Sequence, residues 1–418
     1  MQPLANPLIV NTTRWLLFIN TFMAESVFRH RDYDDKSIDL QVILKLGVWM
    51  FSFLFCVYYY RLWARKLLQV DNFFQVILLA MIGVSCLYAP NFVYSAASAF
   101  SLIAILFMLL MASAVLTSKE LIRQIIYGCS AVIFISIIVY FAAPDFGRMK
   151  EWVNGVLISS NRISGITGTA NACGYIAAMA LLGLYYYRQF LPKPDRIYWL
   201  LVAINLAGLF MSNSRTAMAA LLVALLMGGL ITAGPARLAA LCMGVCLVMI
   251  TAFTIDYDML FSLLSRSGEV SEITSGTGRT EIWAYTIELI HQRPFFGWGY
   301  ASSNSIIPAA ADEIGFVANH THNAFLQIAL SIGYTGLFVF VVLIGLKIFY
   351  SFRSRVQLNI AFIFFLLVDG LTEPIAFQGP ATTTTLVLAT VLALNYSHNH
   401  ETDPPAHKQR LSGSPVSG

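Results

Sequence analysis

The sequence predicts an all-α polytopic membrane protein with about twelve transmembrane helices and one long hydrophilic loop. Three observations predict it. Only 11% of the 418 residues are charged and 58% are hydrophobic, whereas a soluble domain carries about 25% charged residues. Long, nearly charge-free runs recur from end to end, each long enough to cross about 30 Å of hydrocarbon as a helix. The polar residues left over are too few to cover a single core built from all of these runs.

The first run, 8–28, is the least apolar because Arg14 and Glu25 interrupt it. It lacks a basic start and a small-residue cleavage site, so it is expected to be a retained span. Runs at 39–60, 72–89, 92–116 and 121–143 follow, then 165–187, 197–212, 216–233 and 238–255, and last 323–349, 357–371 and 381–396. The seventh, eleventh and twelfth are short for a bilayer and are expected to be tilted, broken or partly interfacial. Neither the sequence nor the span spacing repeats internally.

Between spans nine and ten lies the longest hydrophilic segment, 256–322. A loop of this length in a compact protein is usually functional. It holds a helical stretch at Thr280–Gln292, with apolar positions Ile282, Trp283, Ile287 and Ile290. Pro294 ends this stretch, and Gly297 and Gly299 follow in a turn. Such an amphipathic helix suits a membrane surface. Residues 1–396 therefore form one transmembrane domain, and 397–418, polar and rich in Pro, Ser and Gly, form a disordered tail.

Basic residues orient the spans. With both termini cytoplasmic, fourteen Lys and Arg fall in cytoplasmic segments and seven in the short loops opposite, the asymmetry expected of the positive-inside rule. The 256–322 loop then faces away from the cytoplasm. The six cysteines all lie in apolar runs without metal-ligand spacing, and are read as small buried side chains. No nucleic-acid-binding pattern appears, and no Gly-Lys phosphate loop or outward Asp-x-Asp pair points to a nucleotide.

Four outward segments each bring a basic group to the end of a helix. Asn161-Arg162-Ile163-Ser164-Gly165 leads into span six, and Ser212-Asn213-Ser214-Arg215-Thr216 turns tightly from span seven to eight. Ser275-Gly276-Thr277-Gly278-Arg279-Thr280 opens the amphipathic helix, and Asn319-His320-Thr321-His322-Asn323 opens span ten. Any single arginine at a span end is commonly an interfacial anchor. Arg215 departs from that reading, since it sits on the outer side in a turn too short to carry it from the bundle. Arg279 follows a Gly-x-Gly stretch whose amides can help cradle an anion. Two or three converging guanidinium forks suit a diphosphate. Arg148 and Lys150 read as surface charges, and Arg293, next to Pro294, as structural.

His320 and His322 admit three readings. A polar histidine at a helix start is commonly a cap or a hydrogen-bonded surface group. An i,i+2 pair with no carboxylate cluster nearby in sequence is a weak metal signal. A helix N-terminus also disfavours the imidazolium, and a neutral imidazole is what a general base requires. On that ground His322, adjacent to the helix start, is the candidate base, with His320 and Asn323 beside it. Asp369 and Glu373 flank the outer end of span eleven and are candidates to pair with the arginines. No metal and no cofactor is expected.

Taken together, Arg162-Ile-Ser-Gly-Ile-Thr-Gly168 with Asn171, Ser212-Asn-Ser-Arg-Thr-Ala217, Ser275-Gly-Thr-Gly-Arg-Thr-Glu-Ile-Trp283, Arg293-Pro-Phe-Phe-Gly-Trp-Gly299 and His322-Asn-Ala-Phe-Leu-Gln327 with Gly333 and Gly336 resemble the O-antigen ligase and polymerase family of bacterial envelope glycan assembly. The resemblance spans residues 160–375. It implies a metal-independent, inverting glycosyltransferase of the membrane C-type architecture, in the inner membrane with a periplasmic active site. The donor it implies is a glycan on undecaprenyl diphosphate. The acceptor is the lipid A core in a ligase, or another lipid-linked glycan in an O-antigen or exopolysaccharide polymerase. Carried over, Arg215 and Arg279, with Arg162 as a third, hold the diphosphate, and His322 deprotonates the acceptor. A transporter or flippase is the competing class, but it would place polar groups at mid-membrane and tend to show repeats.

Overall fold

A computed structural model describes residues 6–29, 39–67, 70–153, 156–231, 279–314, 318–375 and 377–393. The eleven expected runs that fall in these residues are all α-helical. They are α1 (Pro7–Glu25), α2 (Leu40–Tyr58), α3 (Val70–Ser85), α4 (Phe92–Val115), α5 (Ser118–Ala142), α6 (Ala170–Tyr187), α7 (Arg196–Ser212) and α8 (Arg215–Leu230), then, after the loop helix α9 (Arg279–Gln292), α10 (Ala324–Arg353), α11 (Gln357–Asp369) and α12 (Thr383–Ala393). The ninth run at 238–255, the start of the long loop and the 397–418 tail lie outside the described residues. Among the described residues four helices, α2, α4, α5 and α10, are long and apolar enough to cross a membrane.

The packing explains why the interrupted first run is still a helix. Arg14 pairs with Glu120 of α5, where Glu120 also closes a capping box with Thr117. Glu25 accepts from Tyr175 Oη at 2.6 Å and from the Thr383 amide at 3.2 Å. Both charges are thus met inside the protein. The core lies along α4 and α6, where Met108, Leu109, Leu110, Cys173, Ile176 and Ala177 are fully buried. α2 and α7 instead turn Leu44, Met50, Phe51, Leu54, Trp199, Leu200 and Phe210 outward. An apolar exterior of this kind is a liability in water and ordinary in lipid.

Two features differ from the sequence expectation. The segment before α6 is not plain loop: β1 (Arg148–Val153) and β2 (Val156–Ile163) pair antiparallel, with Glu151 opposite Ile158 and an irregularity between Arg148 and Lys150. A hairpin this short has too few alternating positions to stand out between two apolar helices. The second difference concerns α9. Its Ile282, Leu289 and Ile290 are buried against Ile307, Ala310 and Ile314 and against Ala329 and Leu330 of α10, while Ile287 stays exposed. The apolar face packs on protein rather than lying free for a membrane surface. Periodicity reports that such a face exists, not what covers it.

α10 carries a break that the site depends on. Ile332 and Gly333 leave helical geometry, Gly333 at φ 73° and ψ −178°. The freed backbone groups are taken up by the chain after α9: the Trp298 amide donates to Leu330 O at 2.8 Å, the Gly299 amide to Ser331 O at 2.9 Å, and the Tyr334 amide to Pro294 O at 2.7 Å. A side chain at Gly333 would meet Phe295 O at 2.1 Å. Arg293 stacks over Trp298 at 4.1 Å, the structural role expected of it. The Arg293–Gly299 segment is therefore a clamp that holds α9 against the broken helix.

Candidate active site

The ends of α1, α7 and α11 and the starts of α6, α8, α9, α10 and α12 meet at one end of the helix bundle. Three hydrophilic arms bring chemistry there. The first is the end of β2. Arg162 donates through Nε to Ser212 O at 3.0 Å, at the end of α7, and through Nη2 to Asn171 Oδ1 at 2.9 Å, on the first turn of α6. The Ser212–Ser214 turn lies so close to α6 that a side chain at Gly174 would come within 2.5 Å of Ser214 Cβ. Asn213, at φ 47°, closes α7, and Ser214 caps α8, whose first residue is Arg215. Arg215 is thus placed three residues beyond the carbonyl that Arg162 grips.

The second arm is the His320–Asn323 loop. Its backbone is pinned at Thr321, whose amide donates to Gln327 Oε1 at 3.2 Å and whose carbonyl accepts from Trp283 Nε1 of α9 at 2.9 Å. Gln327 is itself held by Ser303 Oγ at 2.8 Å and Phe377 O at 3.2 Å. Asn323 caps α10 through bonds from the Phe325 and Leu326 amides, and its Nδ2 donates to Leu371 O. Between these anchors His322 takes φ 49°, a left-handed conformation that a non-glycine residue holds only when its surroundings enforce it. The His322 amide donates to His320 Nδ1 at 3.3 Å, and the two rings lie 4.0 Å apart.

Glu373, in the loop after α11, is the hub. Its Oε1 accepts from Asn171 Nδ2 at 2.9 Å and lies 3.6 Å from Arg279 Nη2. Its Oε2 lies 3.8 Å from His322 Nδ1. Arg162, Asn171, Glu373, Arg279, His322 and His320 are thereby joined in one continuous set. Asp369, the last residue of α11, is buried, with its Oδ2 unpartnered among the described residues. His322 Nδ1 is likewise buried without a hydrogen bond.

The electrostatics follow from this arrangement. Burial, with Arg279 adding to it, pushes His320 down to about 4. Burial, then His320 and Arg279, hold His322 well below the usual imidazole range. Both rings are therefore neutral near pH 7. Burial raises the Glu373 carboxyl, against the pull of Arg279 and the hydrogen bond from Asn171. His320, His322 and Glu373 each offer a ligand atom within 4.8 Å of the others. In sequence no carboxylate cluster accompanies the histidines, and only folding brings Glu373 to them. The trio has the donor set of a divalent cation site, yet the Arg279 guanidinium against Glu373 already supplies a positive charge there and repels a second.

Several participants were not legible as such. Tyr175 and Thr383, which hold Glu25, gave no sequence signal. Glu25 stood out only as a charge in an apolar run. Trp283 and Gln327 lie in segments that carry the family resemblance, but their work of fixing Thr321 is visible only in three dimensions.

Residues 200–341 match a family model described as O-antigen ligase, which bears out the resemblance drawn from the motifs. The match contains Arg215, Arg279 and His322, and excludes Arg162, Asp369 and Glu373. No curated protein matches the chain.

Proposed function

We propose, with the O-antigen ligase match as the premise, that the chain is an inverting, metal-independent glycosyltransferase. It moves a glycan from undecaprenyl diphosphate to a hydroxyl of the lipid A core, at the periplasmic face of the bacterial inner membrane, with both termini cytoplasmic. The observation that carries this reading is the shared carboxylate. Arg279 and His322, from separate parts of the chain, lie within 4 Å of Glu373 on opposite oxygens.

In this reading the diphosphate takes its place among Arg279, Arg215 and Arg162. The acceptor oxygen attacks the anomeric carbon while the bond to the diphosphate oxygen breaks. The electron pair leaves with the phosphate, where pre-placed guanidinium forks stabilise the growing charge. His322, neutral near pH 7, takes the hydroxyl proton as the new bond forms. The donor is already activated, so no nucleotide and no Lewis acid is required. The cluster at one end of the bundle also speaks against a transporter, whose substrate groups belong near mid-membrane.

The test is reconstitution in proteoliposomes with a purified undecaprenyl-diphosphate-linked glycan and two acceptors offered separately. Transfer to lipid A core supports the ligase reading. Extension of the lipid-linked glycan instead assigns a polymerase of the same family. Transfer to neither, with folded protein, sinks both.

A further inference from the structure

Glu373 lies outside the matched region, yet Asn171, Arg279 and His322 all reach it. Its surroundings explain how it is held. The carboxylate follows the end of α11, where its own amide and that of Thr372 donate to the Asp369 carbonyl at 2.9 and 3.0 Å. Asn171 donates to Oε1 and spends its own Oδ1 on Arg162, so the carboxylate is fixed from the α6 side. On the other side neither Arg279, at 3.6 Å, nor His322, at 3.8 Å, is at hydrogen-bond distance. Glu373 thus stands between a guanidinium and an imidazole, close enough to attract both and bonded to neither. His322 Nδ1, the nitrogen that faces it, has no other partner among the described residues.

Two consequences follow. First, the site holds an anion before any donor arrives. Glu373 occupies the space beside Arg279 that a diphosphate oxygen would otherwise claim. Second, a carboxylate facing Nδ1 selects the tautomer with its proton on that nitrogen, which leaves the lone pair on Nε2. This is the base–orienter arrangement of acid–base sites generally.

We propose that Glu373 is a positioning residue shared between the two halves of the reaction: it counters Arg279 while the site is empty, and it orients and supports His322 once the donor diphosphate has taken Arg279 over. This rests on the glycan-transfer reading and deepens it. Donor binding withdraws Arg279 from Glu373. The carboxylate is then free to close on His322 Nδ1–H and to stabilise the imidazolium that forms when Nε2 takes the acceptor proton. The proton stays on His322 during transfer, and Glu373 remains ionised. The site is therefore matched to its base only when loaded, which limits proton transfer without a donor in place.

The experiment uses the full chain in proteoliposomes, comparing wild type, E373Q, E373D and H322A, with two readouts. The first is steady-state transfer across pH. E373Q is expected to lose at least ten-fold in kcat. The acid limb of its pH–rate profile is expected to move to lower pH, because no carboxylate supports the imidazolium. E373D keeps the charge one methylene short, and is expected to lose kcat while keeping the wild-type acid limb. The second readout is binding of undecaprenyl diphosphate itself, which needs no turnover. E373Q is expected to bind it several-fold more tightly, because the competing carboxylate has lost its charge.

Wild-type kcat and acid limb in E373Q, or weaker binding of undecaprenyl diphosphate, overturn the proposal. If E373Q does not accumulate as folded protein, wild-type kcat in E373D overturns it. Activity retained in H322A also overturns it, by removing the base that Glu373 would orient, whereas no transfer by the folded wild-type chain to either acceptor sinks the glycan-transfer reading instead, so the two failures are separable.

Discussion

Arg279 and His322 address opposite oxygens of one half-buried carboxylate, Glu373, at 3.6 and 3.8 Å. Arg279 opens α9, and His322 sits in the loop before α10, held there through Thr321, which Trp283 of α9 grips from one side and Gln327 from the other. A shift of α9 would therefore move the guanidinium and the imidazole together. That coupling links the structure of the clamp to the chemistry of the site, and it makes the following outcomes measurable.

His322→Ala should lower transfer by about 10²–10⁴-fold, the usual contribution of a positioned general base. The loss should come with little change in thermal stability, since His322 Nδ1 makes no hydrogen bond among the described residues and the backbone conformation is unfavourable for a non-glycine residue. The assay is transfer from lipid-linked glycan by membranes carrying equal amounts of protein. Near-normal transfer would remove His322 as the base.

Arg279→Lys should cost about ten-fold or more in kcat/KM, and Arg215→Lys should behave alike. A lysine keeps the charge but not the planar fork that matches two phosphate oxygens. The kinetics with a purified donor provide the check. Full activity in both variants would mark these arginines as anchors rather than diphosphate ligands.

Gly333→Ala should destabilise the protein by about 1–3 kcal/mol, the usual cost of a residue forced into a sparsely populated backbone region. Overpacking against Phe295 adds to it, because a Cβ there would lie 2.1 Å from the Phe295 carbonyl oxygen. Thermal unfolding in detergent measures the loss. Activity should fall as well, since the clamp on the break in α10 places α9. An unchanged melting temperature would mean that the break is not built as described.

Stability should fall as pH drops from about 6.5 to about 4, in part through His320. In the folded protein burial and Arg279 hold this ring neutral down to about 4. In the unfolded chain it takes up its proton near 6.5. The unfolded state then binds more protons throughout that window, so its contribution to stability is full above about 6.5 and is lost on acidification. His320→Gln should flatten the corresponding part of the melting temperature–pH curve. A curve of the same slope in wild type and variant would show that His320 is not held neutral.

Much of the architecture could be read directly. Charge-free runs of about twenty residues locate helices because a chain in hydrocarbon must satisfy its own backbone, and the described runs are helical where expected. The segments with Arg162, Arg215, Arg279 and His322 were legible because arginines and a histidine at helix ends are conspicuous in a chain with 11% charge. The β-hairpin and the covered face of α9 were not, since local pattern does not reveal which partner a short strand or an apolar stripe will find.

The sequence by itself determined the class of the protein, the order of its helices and the residue types available for an anion and a proton. Hydrophobicity and charge are local properties and can be counted along the chain. Only the tertiary structure decided that Glu373 meets both Arg279 and His322, that Asn171 ties this carboxylate to Arg162, and that Gly333 breaks α10 to receive the segment after α9. These relationships join residues far apart in sequence through distances of a few ångströms, and only the packing of whole helices sets such distances.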